Sequence, residues 1–233
     1  MISLIIPFYN ESLELPKLLR DLNSFKKNNL IHEYIFINDG STDNSLEILN
    51  KFLNKYSKIK KKKIKIVTNQ KNIGWCKSLK KGYTLASGKY SLFIPGDGEA
   101  KITEFLKNLK LKETTDVFIF QRKSMMGRPL SRVVISKLYK NILSIIFNFK
   151  KIDLNGIILI KTNLIKKINL LSNSFFISAE IILRCKKKNY KIDYNNFFTL
   201  FPKKKYKSTS LNLKQIKMVL LDFYNFLHFY YLK

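Results

Sequence analysis

Three times in the first hundred residues an apolar run stops at an acidic, turn-forming loop. Ser3-Leu-Ile-Ile-Pro7 runs into Phe8-Tyr-Asn-Glu11, Tyr34-Ile-Phe-Ile37 into Asn38-Asp-Gly-Ser-Thr-Asp43, and Leu92-Phe-Ile94 into Pro95-Gly-Asp-Gly-Glu99. Short continuous apolar runs bounded by turn residues read as strands buried on both faces, the habit of parallel sheets covered by helices. Open α/β sheets bind their ligands outside the carboxyl ends of the strands. Carboxylates gathered there suit a phosphorylated ligand accompanied by a divalent cation, since hard cations take oxygen donors.

The segments between these runs carry helical periodicity. Ser12 to Lys27 places Leu13, Leu15, Leu18, Leu19 and Leu22 on one side, and a second helix begins near Asp43 with Leu46, Ile48, Leu49, Phe52 and Leu53 apolar. Asp43 or Thr42 is its expected N-cap. A strand over 63–68, a helix over 75–86, a strand over 90–94, a short helix and a fifth strand over 116–120 complete the alternation. That order predicts an α/β fold with a mainly parallel sheet and right-handed crossovers. The second half is less regular: a helix over 131–149, strands over 157–160 and 190–194, and helices over 175–187 and 213–231. With no internal repeat or Ser/Gly/Pro-rich linker, one domain is expected over 1–210. It divides into a nucleotide half (1–122) and an acceptor half (123–210), followed by a C-terminal amphipathic helix over 211–233.

A hydrophobic fraction of 45%, with 18 Phe and 12 Tyr, excludes an intrinsically disordered chain. Cys76 and Cys185 are too few for a disulfide framework and lack metal-ligand spacing, which fits a reducing compartment. No charged-then-apolar leader opens the sequence, and no apolar run reaches the ~20 residues of a spanning helix. A cytoplasmic location is expected, with peripheral contact on the inner face of the cytoplasmic membrane. The formal charge of +28 would suit nucleic acid, anionic lipid or an anionic substrate. Abundant Lys, Asn, Ile, Phe and Tyr with scarce Arg, Ala and Gly is also the signature of AT-rich codon usage. The run Lys58 to Lys65 reads as a helix-to-strand connection, and no nucleic-acid-binding module is present. No specific nucleic-acid partner is expected.

Four signatures, in order and spacing, resemble family 2 glycosyltransferases with the nucleotide-diphospho-sugar (GT-A) fold, and among them the dolichol- and polyprenyl-phosphate sugar transferases. They are Ile5-Ile-Pro-Phe-Tyr-Asn-Glu11, Ile37-Asn-Asp-Gly-Ser-Thr-Asp43, Asn69-Gln-Lys-Asn-Ile-Gly-Trp75, and Ala86-Ser-Gly-Lys-Tyr90 leading into Pro95-Gly-Asp-Gly-Glu99. The match continues more loosely to about residue 210 through Gln121-Arg122, Asp153, Ser178-Ala-Glu180 and the Lys/Ser stretch 203–210. C-terminal membrane spans found in many such lipid-phosphate transferases are missing from this sequence.

The resemblance implies roles for individual residues. It places Pro7, Tyr9 and Glu11 at the nucleoside, Tyr9 stacking near the base, and gives Asp39, after Ile37, the base edge. Asn72 and Gly74 contact the nucleotide or form its turn, and Lys77 is a candidate for the diphosphate. Glu11 also reads as a helix-start acid, Asp39 as a turn former and Asp43 as a cap. Gly96, Asp97 and Glu99 form the metal loop for Mg²⁺ or Mn²⁺. The family's usual Asp-X-Asp has lost its first Asp to Pro95 here. Asp97, helped by Glu99, can still suffice, because phosphate oxygens and waters fill most of the coordination sphere. Weaker metal affinity is expected. Arg122 stands where relatives hold a phosphate with a bidentate guanidinium, and Arg128 is a second candidate. Lys204, Lys205, Lys207 and Ser208 fall where relatives carry a basic closing loop, or form a solvated charge run.

The implied reaction is inverting transfer: an acceptor attacks the anomeric carbon in line as a nucleoside diphosphate leaves. The metal and cationic side chains stabilise the departing charge. A lipid-phosphate acceptor is already ionised; a hydroxyl acceptor, on a surface glycan or lipid-linked oligosaccharide of a bacterial envelope, needs a general base. Glu180 matches that acid and also reads as a helix N-terminal acid; Asp153 is the other to watch. The apolar-basic helix 131–149 and the aromatic C-terminal helix suit a membrane interface or a packed core. Rival readings are a degenerate GT-A scaffold, made credible by Pro95, a basic nucleic-acid-binding protein, and a nucleotidyltransferase, which would show a Gly-rich loop near residue 7.

Overall fold

The buried strands assemble into one seven-stranded sheet with helices packed against it. In the computed structural model, which describes residues 1–24, 29–55, 63–107, 109, 114–124, 130–148, 154, 156–199 and 213–232, the chain runs β1 (Ile2–Phe8), α1 (Leu15–Ser24), β2 (Ile31–Asn38), α2 (Ser45–Lys55), β3 (Lys63–Thr68), α3 (Trp75–Leu85), β4 (Tyr90–Phe93), α4 (Ile102–Lys107) and β5 (Val117–Ser124). It continues through α5 (Leu130–Ile146), β6 (Ile157–Lys161), α6 (Thr162–Lys167), α7 (Ile177–Lys187), β7 (Ile192–Thr199) and α8 (Leu213–Leu232).

The strand order is β3-β2-β1-β4-β6-β5-β7. All neighbours pair in parallel except β6, which is antiparallel to both β4 and β5. The apolar run 157–160 gives the strand but not its direction, because a strand buried on both faces reads the same either way along its length. The sheet continues through both expected halves: the boundary at 122 falls inside β5. The proposed lysine connection after α2 lies largely at residues 56–62, outside the described residues.

Several boundaries differ from expectation for local reasons. Pro7 does not end β1 but lies within it, paired with Ile37. Its carbonyl accepts Gly96 N–H at 2.9 Å, so its missing donor falls on the β4 side, beyond the last β1–β4 pair, Ile5 and Phe93. A proline is tolerated there because no ladder bond is lost. Helix α1 starts at Leu15, not Ser12: the Glu11 carbonyl accepts from Glu14 and Leu15 N–H, and Leu13 is left exposed. Helix α6 is too short to show a periodicity in the sequence.

Strand β1, flanked by β2 and β4, is buried along its whole length. Helix α3 crosses it closely at Gly82, where a Cβ would stand 2.2 Å from Ile5 Cγ2. Only glycine permits this approach, and it fixes where the N-terminus of α3 emerges. The carboxyl ends of β1, β2 and β4 therefore lie side by side, with their three acidic loops at one edge. Among the described residues no helix is long and apolar enough to cross a membrane.

Candidate active site

The loops after β1 and β2 are tied together by side chain to backbone bonds. Asn10, in the left-handed region at φ 52°, accepts Thr42 N–H through Oδ1 at 2.8 Å. Its own N–H donates to Ser41 Oγ at 3.1 Å. Glu11 N–H donates to Ser45 Oγ at 2.8 Å, and Ser12 N–H to Asp43 Oδ2 at 3.1 Å. Asp43 Oδ1 also takes the Ser45 N–H at 3.0 Å. Burial alone would raise the Asp43 pKa, but these donors hold it below the ordinary carboxylate value. Asp43 thus satisfies an early amide of α2 and fastens the preceding loop.

A second layer of bonds centres on Asp39, which is 2% exposed. Oδ1 accepts Asn69 Nδ2 at 2.9 Å and Ile73 N–H at 3.0 Å, while Oδ2 accepts Gly74 N–H at 3.0 Å. Asn72 Oδ1 shares the Gly74 N–H at 3.1 Å. Asn69 completes the hub by donating to Ser78 Oγ at 2.9 Å and accepting Lys81 Nζ at 2.6 Å. Gly40, at φ 72°, lets the β2 loop lie against this turn: a Cβ would stand 2.5 Å from the Lys71 carbonyl carbon. Asn69 and Lys81 were not singled out in the sequence, although Asn69 opens one of the four signatures. The carboxylate assigned to the base edge by resemblance is thus engaged with the 69–74 turn.

The other nucleotide candidates are arranged around this frame. Ile37 is fully buried within β2 and presents no surface to a ligand in this structure. Tyr9 is 41% exposed just past β1. Lys77 is exposed in the first turn of α3, whose free N–H groups favour anions.

The loop after β4 is held by main-chain bonds from Ile94 N–H to the Ile5 carbonyl and from Gly96 N–H to the Pro7 carbonyl, each 2.9 Å. A Cβ on Gly96 would stand 2.5 Å from Phe8 Cβ. The glycine is therefore what lets the loop close down on β1 and deliver Asp97 to the shared edge. Asp97, half-buried, accepts Glu99 N–H through Oδ1 at 3.1 Å, and Glu99 is buried beside it. Two carboxylates on one turn are hard oxygen donors of the kind Mg²⁺ and Mn²⁺ take. No group of three or more His, Cys, Asp or Glu able to hold a metal occurs among the described residues. The donor set fits a cation that arrives with its phosphate ligand.

In the second half, Glu180 of α7 is fully buried. Its carboxylate accepts Leu171 N–H at 2.9 Å, Ser172 N–H at 2.8 Å and Arg184 Nε at 2.7 Å. The same segment is tied to α3 by Lys80 Nζ donating to the Leu170 carbonyl at 2.8 Å and Cys76 Sγ to the Ser172 carbonyl at 3.1 Å. It is tied to α8 by Asn173 N–H donating to Asp222 Oδ2 at 2.8 Å. The clamped segment carries Phe175, which stacks on Trp75 at 5.5 Å between ring centroids; Trp75 also meets Phe93 edge-on at 5.6 Å. This aromatic cluster joins the two halves next to the candidate site. Its only sequence signal is the lone tryptophan opening α3. Both cysteines are free and buried, and burial pushes each thiol up to about 12, which leaves them unreactive.

Arg122 lies on β5, its backbone in register with Phe198 of β7. Its side chain, together with Arg128, Asp153, Lys204, Lys205, Lys207 and Ser208, lies outside the described residues.

A mainly parallel sheet with acidic loops at the carboxyl ends of its strands, continued by an antiparallel β6, is the GT-A fold. A glucosyl-3-phosphoglycerate synthase of Mycobacterium tuberculosis, solved with Mn²⁺ and uridine diphosphate, superposes with a TM-score of 0.72 at 13% identity, covering 97% of this chain and 79% of that one. A mannosyltransferase of Pyrobaculum calidifontis, solved with GDP-mannose and Mn²⁺, superposes at 0.67 with 12% identity, covering 97% and 64%. At such identities the likeness shows the fold. The family follows from the sequence: residues 3–164 match the profile of glycosyl transferase family 2, and the chain belongs to that family. It is 29% identical to a cholesterol galactosyltransferase of Borreliella burgdorferi, over 91% of this chain and 63% of the relative. It is 31% identical to a dolichyl-phosphate β-glucosyltransferase of Saccharomyces cerevisiae, over 46% of this chain and 32% of that protein. The chain thus spans less than two-thirds of the length of these relatives.

Proposed function

We propose that this chain is an inverting glycosyltransferase that moves a sugar from a nucleoside-diphosphate donor to a lipid-borne acceptor. The observation that carries the reading is the shared edge of β1, β2 and β4, at which the loop whose Asp39 holds the 69–74 turn and the loop carrying Gly96 and Asp97 both leave their strands. In the reaction the acceptor oxygen bonds to the anomeric carbon, the bond from that carbon to the diphosphate oxygen breaks, and the nucleoside diphosphate leaves. Tyr9, Glu11, Asn72 and the Asp39-held turn would frame the nucleoside; Lys77, exposed in the first turn of α3, would meet the diphosphate, and the resemblance gives Arg122 a phosphate as well. Asp97 and Glu99 would hold Mg²⁺ or Mn²⁺. A cation there supplies neutralisation of the leaving diphosphate.

For Glu180 we propose a positioning role. A carboxylate with no exposed surface and three donors on it is poorly placed to take a proton from an acceptor. A lipid phosphate is already ionised and needs no base, so the enclosed Glu180 favours that acceptor over a hydroxyl. Relatives named for dolichyl phosphate and for cholesterol both use lipid acceptors, which supports the lipid class. An enzyme with such an acceptor works at a bilayer surface.

The test is release of nucleoside diphosphate with polyprenyl phosphate, a sterol or an oligosaccharide supplied in turn. Turnover with polyprenyl phosphate, level from pH 6.5 to 9 as expected for about no titrating base, is the predicted result. Turnover confined to the sterol or oligosaccharide, rising with pH, would overturn the phosphate acceptor. None with any acceptor or donor would return the chain to a degenerate scaffold.

A further inference from the structure

We propose that the solvent faces of α5 and α8 form one surface that seats the protein on anionic lipid. The proposal rests on the functional reading only for the reason a bilayer is needed. Helix α5 is apolar on two opposite faces. Leu143 and Phe147 are buried, and Tyr139 and Ile146 pack against the core. Leu130, Val134, Leu138 and Ile142 recur every four residues on the other side, and Ile145 falls in the same stripe. All are exposed, from 50% at Ile142 to 82% at Leu130. The core accounts for one face, and among the described residues the other stays exposed.

Helix α8 repeats the arrangement. Phe226 is buried against Phe147 and Phe176. Ile216, Leu220, Leu221, Tyr224 and Tyr231 are exposed. The two helices meet at their C-terminal ends: the Tyr231 ring stacks on Phe147 and its hydroxyl donates to the Ile146 carbonyl, one residue from exposed Ile145. The C-terminal turn of α8 thus lies against the C-terminal end of α5, next to Ile145.

Charge selects the occupant. Helix α5 contains no acid, and the one acid of α8, Asp222, is turned inward to Asn173 N–H. Lys137, Lys214 and Lys217 are exposed on the same helices, and the chain carries +28. A second copy brings the same charge and is repelled, whereas an anionic headgroup layer attracts it and receives the Leu, Ile and Tyr side chains. Neither helix can cross the bilayer, so both lie along it.

The experiment is flotation of the full chain with vesicles of phosphatidylcholine alone or with about one-third phosphatidylglycerol. The wild type is expected to float with the anionic vesicles and to be released by high salt. A Leu138→Asn/Ile142→Asn variant, and separately Leu220→Asn, should each lose about tenfold in partitioning. Their far-UV circular dichroism and unfolding midpoints should stay at wild-type values, since these side chains face solvent. Failure of the wild type to float, or undiminished flotation of the variants, overturns the proposal. So does a wild-type dimer that becomes monomeric on Leu138→Asn/Ile142→Asn, which would make a second copy the occupant. Flotation needs no donor or acceptor, so its outcome is read separately from the functional proposal.

Discussion

Asp39 offers a way to separate a carboxylate that builds the site from one that reads the ligand. In Asp39→Ala, Oδ1 no longer accepts from Asn69 Nδ2 and Ile73 N–H, and Oδ2 no longer accepts from Gly74 N–H. Hydrogen bonds to a charged group are worth about 1.5–3 kcal/mol each. Gly74 keeps Asn72 Oδ1 as an acceptor and Asn69 keeps Ser78 Oγ, so the third bond and part of the first are cushioned. Water also reaches the half-buried Ile73 and Gly74. The net loss is therefore near the low end for two bonds, about 3 kcal/mol, or roughly 6–12 °C in Tm for a domain of this size. Asp39→Asn retains one acceptor oxygen and should lose about half as much. Urea unfolding gives the stability and a nucleotide titration the affinity, and both should fall together because the turn that frames the nucleotide is released. Stability within about 0.5 kcal/mol of wild type, combined with lost nucleotide binding, would refute the reasoning and return Asp39 to the base edge.

Glu180→Gln leaves the buried Arg184 without its counter-ion and should cost about 3 kcal/mol; the pH–rate profile of what remains folded should keep its shape, and loss of a pH limb at full stability would make Glu180 a base. Gly40→Ala forces a β-carbon into the left-handed region and against the Lys71 backbone, so chemical unfolding should show a loss of at least about 2 kcal/mol. Burial alone would raise the Glu33 pKa, but Lys65, Ser3 and Ser87 outweigh it and lower it from 4.5 to about 2. Because the folded value lies below the unfolded one, this contribution is complete above pH 4.5 and lost as pH falls towards 2. Urea midpoints should therefore fall more steeply over that window in wild type than in Glu33→Gln.

The strands and helices of the first half were legible because each signal is local: an apolar run, a leucine spacing, a glycine after an acid. The same motifs brought Asp39, Gly40, Gly74, Gly96 and Asp97 to one edge of the sheet, since they follow neighbouring strands. What the sequence concealed is non-local. Nothing in the run 157–160 announces that β6 enters antiparallel. Nor does anything near Asp39 reveal that Asn69, thirty residues on, will meet its carboxylate. Glu180 read equally as a base or a helix-start acid because its partners Leu171 and Ser172 lie in an irregular segment with no periodicity to place them. The doubly apolar character of α5 was visible as a composition; which face the core would claim was not.

The most direct test of the donor site is a thermal-shift panel of UDP, GDP, CDP and dTDP with and without Mg²⁺ or Mn²⁺, run on wild type and Asp97→Ala. At about 100-fold over its dissociation constant a ligand stabilises by roughly 2.7 kcal/mol, or roughly 5–11 °C for a domain of this size. The account predicts such a shift with one nucleotide, dependent on the cation and absent in Asp97→Ala. A shift that ignores both the cation and Asp97 would contradict the metal loop, and no shift with any nucleotide would contradict the donor site itself.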